Sequence, residues 1–199
     1  MRNWVCLLFT ERIFPFLRRK AVFISFLFYF SGFAFGVFGT LFCSAARLLR
    51  FPEVFPHSDS GYFTRLLSDL ISLSFFLVPV FFSGLSFFGI LFPFPMLLLK
   101  GACSGAFLVS FLSQNAGQGI LYAIFVFLPT DTLHTLLCII AAERSVRFSG
   151  CFLFSAKAAP YRELLLRYLS EYRAVFLSSF FVSAVCALFP LIFDHLCTS

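Results

Sequence analysis

Charge is scarce in this sequence. Asp, Glu, Lys and Arg make up 12% of the 199 residues, whereas hydrophobic residues make up 60%, and the mean hydropathy is +0.96. A soluble domain with this composition would expose an insoluble surface. The composition therefore predicts an integral membrane protein in contact with lipids. The net charge of +6 does not predict nucleic-acid binding, because no basic run is interleaved with a soluble module.

The sequence patterns of metal, disulfide and catalytic sites are also missing. The seven cysteines include no C-x-x-C pair and lie mostly in apolar runs, where cysteine behaves as a small hydrophobic residue. A disulfide framework or a zinc site is therefore not expected. No serine lies in G-x-S-x-G, and neither paired carboxylates nor a glycine-rich phosphate loop can be recognised. We expect a protein without enzyme activity, cofactor or metal.

Long apolar segments are what the sequence does contain. Lys100 is the one charged residue across residues 84–129. Runs of about 20 apolar residues, joined by short polar or proline-containing turns, are what a bilayer requires of helices. We predict an all-α membrane protein, a single membrane domain over residues 1–199 with a bundle of about five transmembrane helices. The predicted spans cover residues 21–43, 70–92, 94–112, 119–142 and 174–193, each boundary being approximate.

Glycines and prolines predict how these spans pack and turn. The first span carries three glycines that form a small-residue face: Gly32, Gly36 and Gly39. In the third span, Gly101 and Gly105 have the four-residue spacing that lets helix backbones approach closely in lipid. Pro93 and Pro95 predict a tight turn that makes spans two and three a helical hairpin, and Pro129 interrupts the fourth span.

The distribution of lysine and arginine predicts the topology. Residues 1–20, which we interpret as lying at the membrane surface, hold five, connector 44–68 holds three, and region 143–173 holds six. The two middle turns and the tail hold none. By the positive-inside rule, five spans then place the N-terminus in the cytoplasm and the C-terminus outside.

Region 143–173 contains a further helical pattern. In residues 160–173, PYRELLLRYLSEYR, four side chains fall at helical spacing: Leu165, Tyr168, Leu169 and Tyr172. One interpretation is an amphipathic helix that rests on lipid headgroups before the last span. The other is a cytosolic extension of the fifth transmembrane helix.

Lys100 and a polar cluster after Pro129 are the candidates for chemistry. Lys100 either extends its stem to the headgroups or pairs with Asp131 of a neighbouring span, which would fix helix register. Asp131, His134 and Cys138 are spaced to share one helix face, but three residues of one helix rarely complete a metal site. They could instead relay protons, or hydrogen-bond the backbone carbonyls that Pro129 frees.

The central stretch resembles the stage II sporulation protein M family of bacterial membrane proteins. The residues that carry this resemblance are Gly84-Leu85, Gly89, Leu97-Leu98-Leu99-Lys100-Gly101, Gly105, Gly119 and Leu128-Pro129. The match is specific over about residues 84–130 and loose elsewhere. Ala106 departs from it, since the family usually has an aromatic residue there.

The resemblance implies a cell-membrane protein that acts in engulfment during endospore formation. It implies a non-enzymatic scaffold that anchors sporulation proteins D and P, which remodel peptidoglycan. Connector 44–68 is the outer segment long enough to dock such partners. An alternative function is a small permease or proton-coupled transporter subunit that uses Lys100, Asp131 and His134. The sequence pattern favours no particular oligomeric state.

Overall fold

The structure, a computed structural model, describes residues 14–42, 61–114, 118–155 and 161–198. Every regular element within these ranges is helical. The α-helices are α1 Phe14–Phe42, α2 Tyr62–Gly84, α3 Pro93–Gln114, α4 Gln118–Tyr122, α5 Leu128–Ser155, α6 Tyr161–Cys186 and α7 Leu188–Thr198. A 3-10 helix, Phe87–Ile90, lies between α2 and α3, and a π-helical turn, Ala123–Phe127, joins α4 to α5.

Five helical segments in the described ranges are long and apolar enough to cross a membrane. They are Lys20–Phe42, Tyr62–Gly84, Pro93–Ser113, Gly119–Gly150 and Arg162–Phe193. The fourth segment runs through α4, the π-helical turn and α5, and the fifth runs through α6 and α7. The prediction of an all-α, multi-pass membrane bundle is confirmed.

The apolar core lies where α2, α3, α5 and α6 meet. Leu77 of α2 and Leu97 of α3 are almost fully buried there, together with Ala142 of α5 and Tyr172 of α6. Many of the large side chains on the outer faces are apolar and exposed, as Phe35 of α1 is. Exposed apolar side chains on the outer helix faces are what contact with lipid requires. The protein is therefore a bundle with a packed interior and an apolar perimeter.

The turn between the second and third spans differs from the prediction. Helix α2 ends at Gly84 rather than near residue 92, and the 3-10 helix intervenes before α3 begins at Pro93. A side chain at Gly89 would overlap the carbonyl oxygen of Ser83 and lie 2.7 Å from the Cα atom of Gly84. Because the backbone at Gly89 lies this close to Ser83 and Gly84, the chain turns before the predicted end of the second span near residue 92. Pro93 then opens α3, where its missing N–H costs no hydrogen bond.

Pro129 interrupts the α-helical pattern of the fourth span, as predicted, without ending it. It lies in the first turn of α5, directly after the π-helical turn Ala123–Phe127. Proline cannot donate to the carbonyl four residues earlier, here that of Phe125, and its ring crowds that carbonyl. The wider π-helical turn accommodates this local loss of the α-helical pattern. The helix then continues to Ser155, past the predicted end near residue 142.

The described residues of region 143–173 form two helical extensions, the end of α5 and the start of α6. Helix α6 is continuous from Tyr161 into the last span, so the structure has the helix extension and not a separate interfacial helix. Of the face predicted to rest on headgroups, Tyr168 and Tyr172 pack inside the bundle, whereas Leu169 is exposed. The Tyr168 hydroxyl donates to the carbonyl of Phe81 at 2.8 Å, and Tyr172 donates to Ala141 at 2.9 Å.

Two predicted surface segments lie largely outside the described residues. They are residues 1–13 of the N-terminal segment and residues 44–60 of the connector. The remainder of each is helical, because α1 begins at Phe14 and α2 begins at Tyr62. Arg65, which we assigned to the connector surface, is buried in α2.

Candidate functional site

Helices α1 and α3 make the closest helix crossing in the described bundle, and glycines on both sides permit it. A Cβ atom at Gly32 would lie 2.8 Å from the carbonyl carbon of Leu98, and one at Gly36 would lie 2.8 Å from that of Ala102. Cβ atoms at Gly101 and Gly105 would in turn overlap carbonyl oxygens of α1. Two small-residue motifs at four-residue spacing therefore interlock, and the two helices run parallel in backbone contact.

The Lys100–Asp131 ion pair lies beside this crossing. The ammonium nitrogen of Lys100 is 2.6 Å from a carboxylate oxygen of Asp131, and each side chain is 11% exposed. Lys100 directly precedes Gly101, the glycine of α3 that contacts α1, and Asp131 lies in the first turn of α5. The hypothesis that these two residues pair is confirmed, whereas extension of Lys100 to the headgroups is not what the structure shows.

Two further side chains complete the network around the carboxylate. Ser104 donates to the same oxygen of Asp131 at 2.8 Å, and the hydroxyl of Tyr29 donates to the other oxygen. The Lys100 ammonium is also 3.3 Å from the Ser104 hydroxyl and 5.7 Å from the ring centroid of Phe76, in cation–π range.

This network offsets the cost of placing charges in lipid. A lone charge at the centre of a transmembrane helix costs about 2.5–3.5 kcal/mol on insertion scales. The contact between the two opposite charges and the hydrogen bonds to both carboxylate oxygens offset much of this insertion free energy. The site, made of Tyr29, Lys100, Ser104 and Asp131, thus connects three helices, α1, α3 and α5. We refer to it as the charge network.

His134 does not join the charge network. Its ring lies with Asp69 of α2 and Cys186 of α6, and ligand atoms of the three lie within 4.8 Å of one another. Asp131, by contrast, bonds to α1 and α3. Asp131, His134 and Cys138 therefore do not act as one ligand set, although they share a helix.

A second polar seam joins α2 to α5 and α6 near Gly84. Ser145 donates to the carbonyl of Val80 at 3.1 Å, and Ser149 donates to that of Ser86 at 2.6 Å. A Cβ atom at Gly84 would overlap the Tyr168 hydroxyl. Gly84 therefore differs in role from Gly101 and Gly105. It makes room for a tyrosine side chain, whereas they make room for the backbone of α1.

The remaining positions singled out in the sequence lie apart from the charge network. Gly119 is buried in the short helix α4, and Pro129 is half-buried in the first turn of α5. Gly89 is buried in the turn after α2. These residues shape the backbone, and none of them belongs to the charge network, although the carbonyl of Gly89 accepts a hydrogen bond from Ser145 at 3.5 Å.

Sequence reasoning missed Tyr29, Ser104, Asp69 and Cys186. A signal existed for Ser104, because it lies one turn from Lys100 and must share its face. Tyr29 lies one turn before Gly32 on the glycine face of α1, so a polar group was available at the crossing. Asp69 and Cys186 gave no such signal, since only helix packing brings them to His134.

Fold and site together define a multi-pass, all-α membrane bundle with an internal ion pair. No protein-family model, no curated protein and no solved structure matches this chain. The resemblance to the stage II sporulation protein M family therefore remains a prediction from residues 84–130.

Proposed function

We propose that this protein is a non-enzymatic membrane scaffold that holds peptidoglycan-remodelling partners at the bacterial cell membrane. The observation that supports this proposal best is the closed charge network. Both carboxylate oxygens of Asp131 accept hydrogen bonds from within the bundle, and the Lys100 ammonium contacts Asp131, Ser104 and Phe76. Charges used in this way stabilise a fixed helix arrangement.

A fixed arrangement suits a scaffold better than a transporter. A coupling site must exchange its ion or proton with water on each side in turn. Here the paired side chains are 11% exposed, and the helix that carries Lys100 is in close backbone contact with α1 at Gly101 and Gly105. The cost of leaving one charge of such a pair buried alone is about 3–5 kcal/mol.

The geometry also separates the residues of the alternative function. A permease that uses Lys100, Asp131 and His134 as one path needs them in one connected chain. Asp131 bonds to Lys100, Ser104 and Tyr29, whereas the His134 ring lies with Asp69 and Cys186. No hydrogen bond joins His134 to Asp131 in the described part of the chain. The scaffold proposal is therefore the better supported of the two.

The identity of the partners follows from the family resemblance. We propose homologues of sporulation proteins D and P, acting in engulfment during endospore formation, with the N-terminus cytoplasmic and the C-terminus outside. The docking segment that we propose is shorter than the predicted connector, residues 44–68. Tyr62 donates to the carbonyl of Ala184 at 3.0 Å and Arg65 is buried, so both serve the bundle. Residues 44–60 remain for a partner.

One experiment separates scaffold from transporter. The quadruple variant Y29F/K100M/S104A/D131L removes every member of the charge network while keeping side-chain volume. Hydrophobic replacement of a buried ion pair is often neutral or stabilising, so the variant should fold and should still co-purify with the D and P homologues from the same organism. A proton path would lose all activity in this variant, and loss of co-purification by a folded variant would contradict the proposal.

The docking segment is tested by a second replacement. Exchange of residues 44–60 for a Gly/Ser linker of equal length leaves α2 intact from Tyr62. We expect co-purification and engulfment to be lost, while membrane insertion and detergent stability stay unchanged. Unchanged co-purification would overturn the docking assignment, and wall-cleaving activity of the purified protein alone would overturn the scaffold proposal.

A further inference from the structure

A second cluster of ionisable side chains lies where α2, α5 and α6 meet. It consists of Asp69, His134 and Cys186, with one ligand atom from each within 4.8 Å of the others. Asp69 is half-buried, and the other two side chains are buried. We propose that these three residues bind a divalent transition-metal cation, and that Zn²⁺ is the ion that their chemistry fits best.

Helix register, and not the orientation of one side chain, produces the cluster. Helices α2 and α5 run parallel, and the Ser145–Val80 and Ser149–Ser86 hydrogen bonds join residues 65 and 63 positions apart. Asp69 and His134 are separated by the same offset, so the packing that fixes the serine seam also places them side by side. The Tyr62–Ala184 hydrogen bond of 3.0 Å holds the end of α6, with Cys186, against the start of α2.

His134 supplies an independent indication of a ligand. It is 7% exposed, and its Nε2 atom has no hydrogen-bond partner in the described part of the structure. A buried polar atom without a partner carries a desolvation cost that the fold does not offset. Coordination of a cation would satisfy the ring, as it does in most metal-binding histidines.

The donor set is one that zinc accepts. Zinc binds imidazole nitrogen, thiolate sulfur and carboxylate oxygen at about 2.0–2.3 Å, in tetrahedral geometry, which puts neighbouring ligand atoms about 3.5 Å apart. Small side-chain rotations from separations of up to 4.8 Å reach that distance. Three protein ligands leave the fourth position for water.

Charge balance also favours this cation in an apolar setting. A carboxylate from Asp69, a thiolate from Cys186 and the neutral ring of His134 carry two negative charges in total. A divalent cation makes the complex neutral, which reduces the cost of burying charge in a bundle interior. Binding releases the thiol proton of Cys186 to solvent, because the thiolate is the metal ligand.

The proposed metal site does not depend on the proposed scaffold function. It ties α2, α5 and α6 together, whereas the charge network ties α1, α3 and α5. Metal binding and partner co-purification are separate measurements, so failure of one leaves the other standing.

The test uses the full-length protein in nanodiscs of phosphatidylethanolamine and phosphatidylglycerol, freed of metal with a chelator and titrated with Co²⁺. We expect saturation at one equivalent, with a thiolate-to-cobalt charge-transfer absorption in the near ultraviolet, and displacement of Co²⁺ by Zn²⁺. The variant Cys186→Ser should lose the absorption. Its matched control, Cys138→Ser, removes another buried thiol of the core and should keep it.

Two further variants test the other ligands. Asp69→Asn and His134→Gln should each raise the Kd for Co²⁺ by at least about 100-fold, at or beyond the upper limit of the ~10–100-fold that loss of an outer-shell partner costs. Each variant is first shown to elute from size exclusion like the wild type. Wild-type protein that binds less than one equivalent would overturn the proposal whatever the variants do. So would a charge-transfer absorption that survives in folded Cys186→Ser, or an unchanged Kd in both of the other variants.

Discussion

At the scale of single residues, the Lys100–Asp131 pair shows what a bilayer demands of a charge. Neither residue would be tolerated alone, yet together they form a buried ion pair in which Ser104 hydrogen-bonds to both partners. The pair therefore fixes the register of α3 against α5, because a shift by one residue would leave two buried charges unpaired. This is a stabilising role that depends on both partners being present.

A double-mutant cycle measures that dependence. Lys100→Ala and Asp131→Ala should each lower the free energy of unfolding in detergent by about 3–5 kcal/mol, because each leaves the other charge buried. The double variant should cost less than the sum, with a coupling energy within the range of about 0.5–3 kcal/mol seen for contacting residues. Strict additivity would show that the contact does not contribute to stability.

The chain contains its own control for this cycle. Glu143 and Arg147 form an ion pair one turn apart on α5, with side chains 23% and 54% exposed. Solvent screens such a pair, so the same cycle should give a coupling of about 0.2–1 kcal/mol. Equal coupling in the two cycles would mean that burial does not strengthen the Lys100–Asp131 interaction.

Sequence reasoning found the two charges but not the residues around them. A lysine and an aspartate in apolar spans are conspicuous, because any charge there needs a partner. Tyr29 and Ser104 are not conspicuous, since both residue types are common in such helices and only the α1–α3 crossing brings Tyr29 to the carboxylate. Asp69 was missed for the same reason, as its neighbours lie on helices 65 or more residues away.

At the scale of helices, four glycines decide how closely α1 and α3 pack. The sequence predicted a small-residue face on each helix, and the structure places Gly32 and Gly36 against the backbone of α3. The third glycine of α1 behaves differently. Gly39 has nothing within 4 Å of where its Cβ atom would stand, so it takes no part in the backbone contact.

This difference predicts opposite results for two alanine substitutions in one helix. Gly36→Ala should lower the thermal stability in detergent markedly, since a methyl group at Gly36 would overlap the carbonyl of Ala102 and push α1 from α3. Gly39→Ala should be neutral or raise the stability slightly, because alanine favours a helix over glycine by about 1 kcal/mol. Equal losses would show that the crossing is looser than described.

The seam between α2 and α6 offers a rescue experiment. Gly84→Ala should lower the thermal stability, because its methyl group would overlap the Tyr168 hydroxyl. In a Tyr168→Phe background that obstacle is gone, so Gly84→Ala should cost less there. Tyr168→Phe alone should lose about 0.5–1.5 kcal/mol with its hydrogen bond to Phe81. A penalty that is the same in both backgrounds would place the conflict elsewhere, for example at Ser145.

Helix boundaries were predictable only where a backbone signal marks them. Pro93 opens α3 one residue before the predicted start of the third span, and Pro129 interrupts the α-helical pattern of the fourth span as predicted, with a π-helical turn directly before it. The many charged residues after residue 143 suggest a surface segment, whereas part of this region packs inside the bundle. Its arginines and glutamates form ion pairs such as Arg144–Glu171, at 2.7 Å, while its tyrosines pack inward, so polarity there does not indicate a loop.

At the scale of the whole molecule, the number of spans decides which helices run parallel. The described residues contain five helical segments long and apolar enough to span a membrane, in agreement with the five predicted from the sequence. The same pattern makes α1 and α3 parallel, as their glycine contacts require, and makes α2 and α5 parallel, as the serine seam requires. Contacts and span number are thus mutually consistent. The orientation of the bundle in the membrane is a prediction from the distribution of lysine and arginine.

Single-cysteine labelling tests this orientation. In a background with all seven cysteines replaced, Ser58→Cys lies in the segment before α2 and Ser155→Cys lies at the end of α5. An impermeant thiol reagent added to intact cells should label position 58 and not position 155, because the positive-inside rule assigns the arginine-rich ends of α5 and α6 to the cytoplasm. Permeabilised cells, in which both positions should react, control for accessibility. Labelling of both positions from outside would contradict five spans, and labelling of position 155 alone would keep the five spans but invert the bundle.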